Sequence, residues 1–130
     1  MPMGEGWWIA PDGEVIRIHE HLRYIEEHPE RFGFTPEELK PRDEDERRRR
    51  GVRRGRILRE AFRRGFVRVR MHGGRNVFEF RGWERSRRLI EGFLDEVGMK
   101  GSEAALTLRD HASGREWTWR REAEGEKKEG

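Results

Sequence analysis

The sequence predicts an α+β fold in which three hairpins build an antiparallel sheet and about three helices pack on one of its faces. Apolar residues alternate with polar ones on either side of three turn-forming stretches, which is typical of hairpins. Between these stretches they recur at helical spacing. Every predicted strand pair is a hairpin, so all neighbouring strands are expected to run antiparallel. The chain has 130 residues, which suits one domain.

We place this single domain at residues 1–121 and expect the polar tail 122–130, "EAEGEKKEG", to be disordered. Within the domain, residues 41–51 read "PRDEDERRRRG" and contain no apolar side chain. We expect a mobile charged linker there, with an exposed helix laced with opposite charges as the alternative.

The first hairpin is predicted in "GWWIAPDGEVIRI", where Pro11-Asp12-Gly13 suits a turn. Pairing Ala10 with Glu14 places Trp8 opposite Ile16. A short helix is predicted in the next segment, "HEHLRYIEEH".

The later helices carry clearer end signals. In "TPEELK", Thr35 precedes Pro36 and Glu38 stands three residues after Thr35, which indicates a capping box. The segment 53–64 places apolar residues on one side of a helix and arginines on the other. The segment 83–97 is a second amphipathic helix, which Gly98 closes.

The second hairpin is "FVRVRMHGGRNVFEF", with Gly73-Gly74 as a two-residue turn. Its register pairs Arg68 with Glu79 and Val69 with Phe78, so that one face is apolar and the other is charged.

In the third hairpin, "ALTLRDHASGREWTWRR", pairing Asp110 with Arg115 places Leu108 opposite Trp117 and Arg109 opposite Glu116. Three tryptophans of the hairpins are expected in the core: Trp8, Trp117 and Trp119. Trp7 and Trp83 are less determined, and either could stack a nucleic-acid base or anchor a protein interface.

Composition excludes several classes of protein. The chain contains no cysteine, which excludes disulfides and cysteine–zinc sites. No apolar run approaches the roughly 20 residues that span a bilayer, and the N-terminus lacks the pattern of a signal peptide. We therefore expect a cytoplasmic protein without a membrane role.

Positive charge is concentrated in one segment. Residues 1–46 carry a net charge of −8, residues 47–75 carry +12 and residues 76–130 carry −1, against +3 for the whole chain. Arginine suits phosphate because its planar guanidinium makes paired hydrogen bonds and keeps its charge. The predicted nucleic-acid-binding residues are Arg56, Arg59, Arg63, Arg64, Arg70 and Arg75.

The alternative for this segment is an ordinary solvated surface. Arg68 would be neutralised by Glu79, and the run Arg47–Arg50 would pair with the acids Asp43–Glu46 that precede it. Arginine outnumbers lysine 25 to 4, and coding bias in a GC-rich genome would also explain that ratio.

No catalytic pattern is found, and neither a metal, a cofactor nor a small-molecule substrate is expected. His21 and His28 lie seven residues apart but do not form the H-E-x-x-H motif. Asp110, His111 and Ser113 share one tight loop, whereas a catalytic triad needs groups that converge from separate elements.

Two functions from different classes are therefore favoured, and an enzyme is kept as a third class. The first is a non-enzymatic module that binds nucleic acid or another polyanion. The second is a protein-interaction or structural subunit, for example in a homo-oligomer or a phage-type particle, in which acidic and basic regions pair between copies or within one chain.

Overall fold

A computed structural model of the protein describes residues 6–72, 74–98 and 105–121. The predicted disordered tail, 122–130, lies outside the described residues. The strands are β1 (Gly6–Ile9), β2 (Val15–Ile18), β3 (Val67–His72), β4 (Arg75–Phe80), β5 (Ala105–Asp110) and β6 (Arg115–Arg120). The helices are α1 (His21–Glu27), α2 (Pro36–Leu39), α3 (Glu44–Arg48), α4 (Arg50–Arg63) and α5 (Trp83–Val97), with a 3₁₀ turn at Pro29–Phe32.

All three predicted hairpins are confirmed, together with their registers. Trp8 lies opposite Ile16 between β1 and β2, and Val69 lies opposite Phe78 between β3 and β4. Between β5 and β6, Leu108 lies opposite Trp117. In each case the turn residues and the alternation of side chains select the same register.

The prediction of an entirely antiparallel sheet is wrong. The six strands lie in the order β2-β1-β3-β4-β5-β6, and β4 and β5 run parallel. The reason is α5, which carries the chain back along the sheet after β4, so that β5 starts from the same end as β4. The sheet is therefore mixed, and the fold is α+β as predicted.

The helices pack on both faces of the sheet, not on one as predicted. Neighbouring strand residues point to opposite faces, and here Trp8 and Ile9 belong to separate hydrophobic clusters. The first face, defined by Trp8, packs against α1, α2 and α4. The second face, defined by Ile9, packs against Ile90, Phe93 and Leu94 of α5.

Only part of the first face is covered by the helical cluster. That cluster takes residues from β1, β2 and Phe66, which precedes β3, and among the described residues it includes none from β3, β4, β5 or β6. The second face, in contrast, has apolar residues from β1, β3, β4 and β5 beneath α5. The first face of β4–β6 is therefore where polar strand residues collect.

The helix boundaries follow the end signals in the sequence. The capping box at Thr35 is present, with the Glu38 carboxylate accepting from the Thr35 backbone N–H at 2.7 Å. Gly98 ends α5 in the left-handed conformation, with φ of 79°. Helix α4 starts at Arg50, three residues before its predicted start.

The range 41–51, predicted as a mobile linker, contains a helix. Asp43 caps α3 by accepting from the Glu46 backbone N–H at 3.0 Å. The alternative, a helix laced with opposite charges, describes this segment, since Glu44 pairs with Arg47 and Arg48 on its surface.

The tryptophans divide by face and by depth. Trp8 is fully buried, and its indole N–H donates to the backbone carbonyl of His21 at 3.3 Å. Trp117 and Trp119, predicted as core, are half-buried against Trp83 on the second face. Trp7 is half-buried too, with its ring edge on Phe93.

Replacing Trp8 with alanine should lower the free energy of unfolding by about 3–5 kcal/mol, because the large buried side chain leaves a cavity at the centre of the first cluster. Chemical denaturation with a fluorescence or circular-dichroism readout measures this loss. Trp7→Ala is the matched control on the half-buried neighbour and should cost clearly less. Equal losses would contradict the difference in burial.

Candidate anion-binding surface

Four of the six arginines predicted to bind nucleic acid are bound to carboxylates. Arg56 forms a two-pronged pair with Glu46 at 2.6 and 2.9 Å and also donates to the carbonyls of Glu38 and Lys40. Arg63 and Arg64 both bond Glu60. Arg70 bonds Glu79 at 3.1 Å. The outer surface of α4 is therefore not a bare row of guanidinium groups.

These carboxylates are held strongly in their charged form. Hydrogen bonding to Arg56 lowers the pKa of Glu46 to about 2, and hydrogen bonding to Arg63 lowers the pKa of Glu60 to about 2. Because both pKa values are so low, the ion pairs of Glu46 and Glu60 persist at any pH at which proteins are ordinarily handled.

The acidic first third of the chain supplies most of the remaining counter-charges. Glu20 accepts from Arg54 and Glu26 accepts from Arg53, each at 2.8 Å. Glu38 adds a contact of 3.1 Å to Arg64. The complementarity between the acidic and basic segments is thus used within one chain to attach α1 and α2 to α4.

Three of the four arginines in Arg47–Arg50 pair with acids just before them, as the alternative interpretation predicted. Arg47 and Arg48 bond Glu44, and Arg49 lies 3.4 Å from Asp45. These are exposed pairs between neighbours on α3, and such pairs contribute little to stability.

Arg59 and Arg75 differ from the other predicted residues. Both are exposed, and neither forms an ion pair with the described part of the chain. Arg59 lies on α4, above the first face of the sheet, and Arg75 opens β4 with its side chain on that same face.

The most strongly organised polar group lies in a row that crosses the first face. Register places Arg68 of β3 beside Glu79 of β4, Glu79 beside Arg109 of β5, and Arg109 beside Glu116 of β6. The row thus runs through four strands with alternating sign. Opposite charges on directly paired strand residues stabilise a sheet.

Glu79 is the centre of this row and receives four cationic or polar donors. Its side chain is only 2% exposed. Arg68 donates through Nε at 2.7 Å, Arg70 through Nε at 3.1 Å and Arg109 through Nη1 at 3.0 Å. His111 Nε2 lies 3.2 Å from the second carboxylate oxygen. We call these five residues the Glu79 cluster.

The electrostatics of the Glu79 cluster favour the ionised carboxylate. Burial raises the pKa of Glu79, but the hydrogen bond from His111 and the charges of Arg68 and Arg70 outweigh it and hold that pKa far below its ordinary value. Burial lowers the pKa of Arg68, and the charge of Glu79 opposes that effect. Three guanidinium groups share the carboxylate of Glu79, and Arg109 also bonds the exposed carboxylate of Glu116 at 2.8 Å, so one positive charge is left over in this group.

Helix α4 fixes one side of the Glu79 cluster through an aromatic contact. The ring of Phe62 stacks on His111 with centroids 4.5 Å apart, and the Arg68 guanidinium lies over the same ring at 5.7 Å. A charged row thus borders directly on the hydrophobic cluster of the first face.

Toward β6 the same face reaches solvent. The Arg70 side chain is 30% exposed and that of Arg109 is 37% exposed. Arg75 and Thr118 are exposed outright. We call Arg70, Arg75 and Arg109 the strand arginines. Glu79 holds Arg70 through Nε, whereas Arg109 is held by Glu79 through Nη1 and by Glu116 through Nε at 2.8 Å, so each keeps only its remaining guanidinium N–H groups for another partner.

Sequence reasoning missed Arg109 and His111 as members of the site. The register of each hairpin could be predicted by itself. The second hairpin placed Arg68 beside Glu79, and the third placed Arg109 beside Glu116. The contact between the two hairpins depends on the parallel pairing of β4 with β5, which no turn specifies. The sequence therefore predicted two separate salt bridges and not a single centre around the buried carboxylate of Glu79.

Other sites considered in the sequence receive no geometric support in the described residues. There, no group of three or more His, Cys, Asp or Glu side chains is arranged to hold a metal ion. His21 is buried, and its Nε2 donates to the Trp7 carbonyl at 3.1 Å, whereas His28 is part-exposed beside Tyr24. Asp110, His111 and Ser113 serve the loop and the Glu79 cluster.

Within the described ranges no helix has both the length and the apolar character that a membrane span requires. No family model matches the chain, and no curated protein or solved structure matches it either. Function is therefore inferred from the geometry of the residues described above.

Replacing Glu79 with glutamine should destabilise the fold by about 3–5 kcal/mol, because three guanidinium groups would lose their shared buried counter-charge. Urea denaturation at neutral pH measures the change. Glu116→Gln is the matched control at the exposed end of the same row, and it should cost less than about 1 kcal/mol. A small effect at Glu79 would contradict its central place in the cluster.

His21 should make stability depend on pH. Burial, followed by the charge of Arg68, lowers its pKa from 6.5 to about 4. A folded-state pKa below the unfolded value gives a contribution that is complete above about pH 6.5 and is lost as the pH falls toward 4. In His21→Gln, the free energy of unfolding should fall less over that pH range, by on the order of 2–3 kcal/mol, than in the unchanged protein. Equal slopes of unfolding free energy against pH in the two proteins would refute this.

Proposed function

We propose that the chain is a small non-enzymatic module that binds a phosphate-bearing polymer, with nucleic acid as the first candidate, on the first face of β3–β6. The observation that carries the proposal is the Glu79 cluster. One buried carboxylate fixes three guanidinium groups on a face where Val77 and Thr107 are buried and where Arg75 and the first-face residues of β6 are exposed.

Rigid arginines suit phosphate better than mobile ones. A guanidinium that is already held through Nε or Nη1 loses less conformational freedom when another N–H group bonds a phosphate oxygen. Arg70 and Arg109 meet this condition. Exposed Arg75, at the start of β4, adds a further arginine on the same face. Arg59 adds an exposed cation from α4 on the same side of the sheet.

The character of the surface favours backbone contacts over base stacking. The half-buried tryptophans Trp83, Trp117 and Trp119 pack against one another, on the second face of the sheet. Trp7 also packs there against Phe93. The first face of β4–β6 thus offers charge and hydroxyl groups, such as Thr118, and we expect binding that distinguishes poorly between base sequences.

Binding should therefore depend steeply on salt. Contacts from Arg59 and the strand arginines would give about four phosphate contacts, hence a log–log salt slope of roughly −3 to −4. The double variant Arg70→Ala/Arg75→Ala should weaken binding to all sequences alike and make that slope shallower by about 1.4–1.8. Fluorescence anisotropy with a labelled oligonucleotide at several salt concentrations measures both quantities.

The matched control is Arg47→Ala/Arg63→Ala, which removes the same charge from arginines that are paired with acids on α3 and α4. It should leave both affinity and slope nearly unchanged. Absence of binding at about 50 mM salt would overturn the proposal, because a site with this many phosphate contacts is strongest at low salt. Equal losses in the two double variants would show that net charge alone is responsible.

A second candidate function is a protein-interaction or structural subunit. The acidic first third does not favour it, since those acids bond arginines of the same chain. It is favoured by the outer edge of β6, whose six residues end the sheet.

A further inference from the structure

Strand β6 is a long edge strand, and its charged side chains Arg115, Glu116 and Arg120 are its protection against pairing. It spans six residues, Arg115–Arg120, and contains neither proline nor glycine. In the described chain no strand lies beyond it, whereas the opposite edge, β2, has only four residues. Edge strands of this length offer a row of backbone groups to another strand.

The side chains of β6 are complementary to their own copy in one antiparallel register. Since paired residues must lie on the same face, only alternate registers continue the sheet. If Thr118 faces Thr118 of a second copy, Glu116 faces Arg120 and Trp117 faces Trp119. Each of these unlike pairs then occurs twice, once on each side of the two-fold axis.

The neighbouring registers are less favourable. With Trp117 on the axis, Glu116 would face Thr118, and Gly114 of the loop would have to face Arg120. With Trp119 on the axis, Arg120 would face Thr118, and Trp117 would face Arg121. Only the register centred on Thr118 brings opposite charges together and uses strand residues for every one of these pairs.

The groups that this register requires lie at the surface. Glu116, Thr118 and Arg120 are exposed, and Trp117 and Trp119 are half-buried. Both charged residues already have contacts within the chain, and Glu116 accepts from Arg109 at 2.8 Å, so in the dimer Glu116 would be shared between Arg109 and Arg120 of the second copy. Arg115 and Arg121 would face each other just outside these pairs, but Arg115 lies over the Trp117 ring and Arg121 bonds Asp95 at 2.6 Å. Both arginines can keep these contacts within their own chain when the dimer forms.

We propose that two copies of this chain associate through antiparallel pairing of β6 with β6, with Thr118 on the two-fold axis. The partner is a second copy because the strand matches its own sequence in charge and aromatic pattern. The resulting twelve-stranded sheet has a two-fold axis perpendicular to it, so the first faces of both copies lie on the same side. This inference does not depend on the proposed polyanion binding.

Single-cysteine variants test the register, because the natural chain has no cysteine. In the proposed dimer the two copies of residue 118 have Cβ atoms about 4.5–5.5 Å apart, close to disulfide geometry. Thr118→Cys should therefore form a covalent dimer under mild oxidation at least tenfold faster than Glu116→Cys or Arg120→Cys alone. Non-reducing electrophoresis over a time course gives the rates.

Two further samples sharpen the result. A mixture of Glu116→Cys with Arg120→Cys should cross-link between the two variants faster than either does alone, since these positions face each other. Ala112→Cys, exposed in the loop of the same hairpin, should cross-link slowly. If Thr118→Cys reacts no faster than Ala112→Cys, or if another position gives the fastest reaction with itself, the proposed register is rejected.

The unmodified protein gives an independent readout. Light scattering during gel filtration should show a mass that rises from 15.6 kDa toward twice that value with concentration. Glu116→Arg should shift the protein back to the monomer, because an arginine at position 116 would face Arg120 of the other copy on both sides of the two-fold axis. A mass of 15.6 kDa at every concentration would overturn the dimer, whatever the variants do.

Discussion

The buried carboxylate of Glu79 is the interaction on which the rest of the first face depends. Strand pairing alone brings Arg68 and Arg109 to either side of it, and Arg70 reaches it from the next position on the face. Without that carboxylate, three positive side chains would crowd one another beside the Phe62 ring. An ion pair in such a place requires complete hydrogen bonding to offset the loss of hydration, and four donors provide it.

This charged centre also explains why the helices cover the sheet unevenly. The apolar stripe of α4, centred on Ile57 and Ala61, shares a hydrophobic cluster with Trp8 and Ile16 of β1 and β2, and the helix also contacts β4. Beyond β3 the same face carries mostly charge, and there α4 contributes the ring of Phe62, which stacks on His111. Helix α5 meets no such obstacle on the second face, where every strand from β1 to β5 supplies an apolar residue.

Local features of this fold could be predicted from the sequence, and the features that join distant segments could not. Turn residues and alternation determine a hairpin without reference to the rest of the chain, so the registers around Gly74 and Ser113 were predictable. The order of hairpins in the sheet depends on which face α5 covers, and amphipathicity alone does not reveal that. The same limit hid the contact of Arg109 with Glu79, which lies thirty positions away.

The arginine-rich segment shows how charge in a sequence differs from charge on a surface. Its net charge of +12 suggested a basic helix face, but Arg56 and Arg64 are consumed in attaching α2 and α3 to α4. Around Glu79 and Arg75, the strands bring more arginines than acids to the first face, so positive charge remains there. Pairing at β6 would set two such faces side by side on one sheet, and a polyanion long enough to cross the axis would contact both. Each copy would then raise the effective concentration of the polymer for the other.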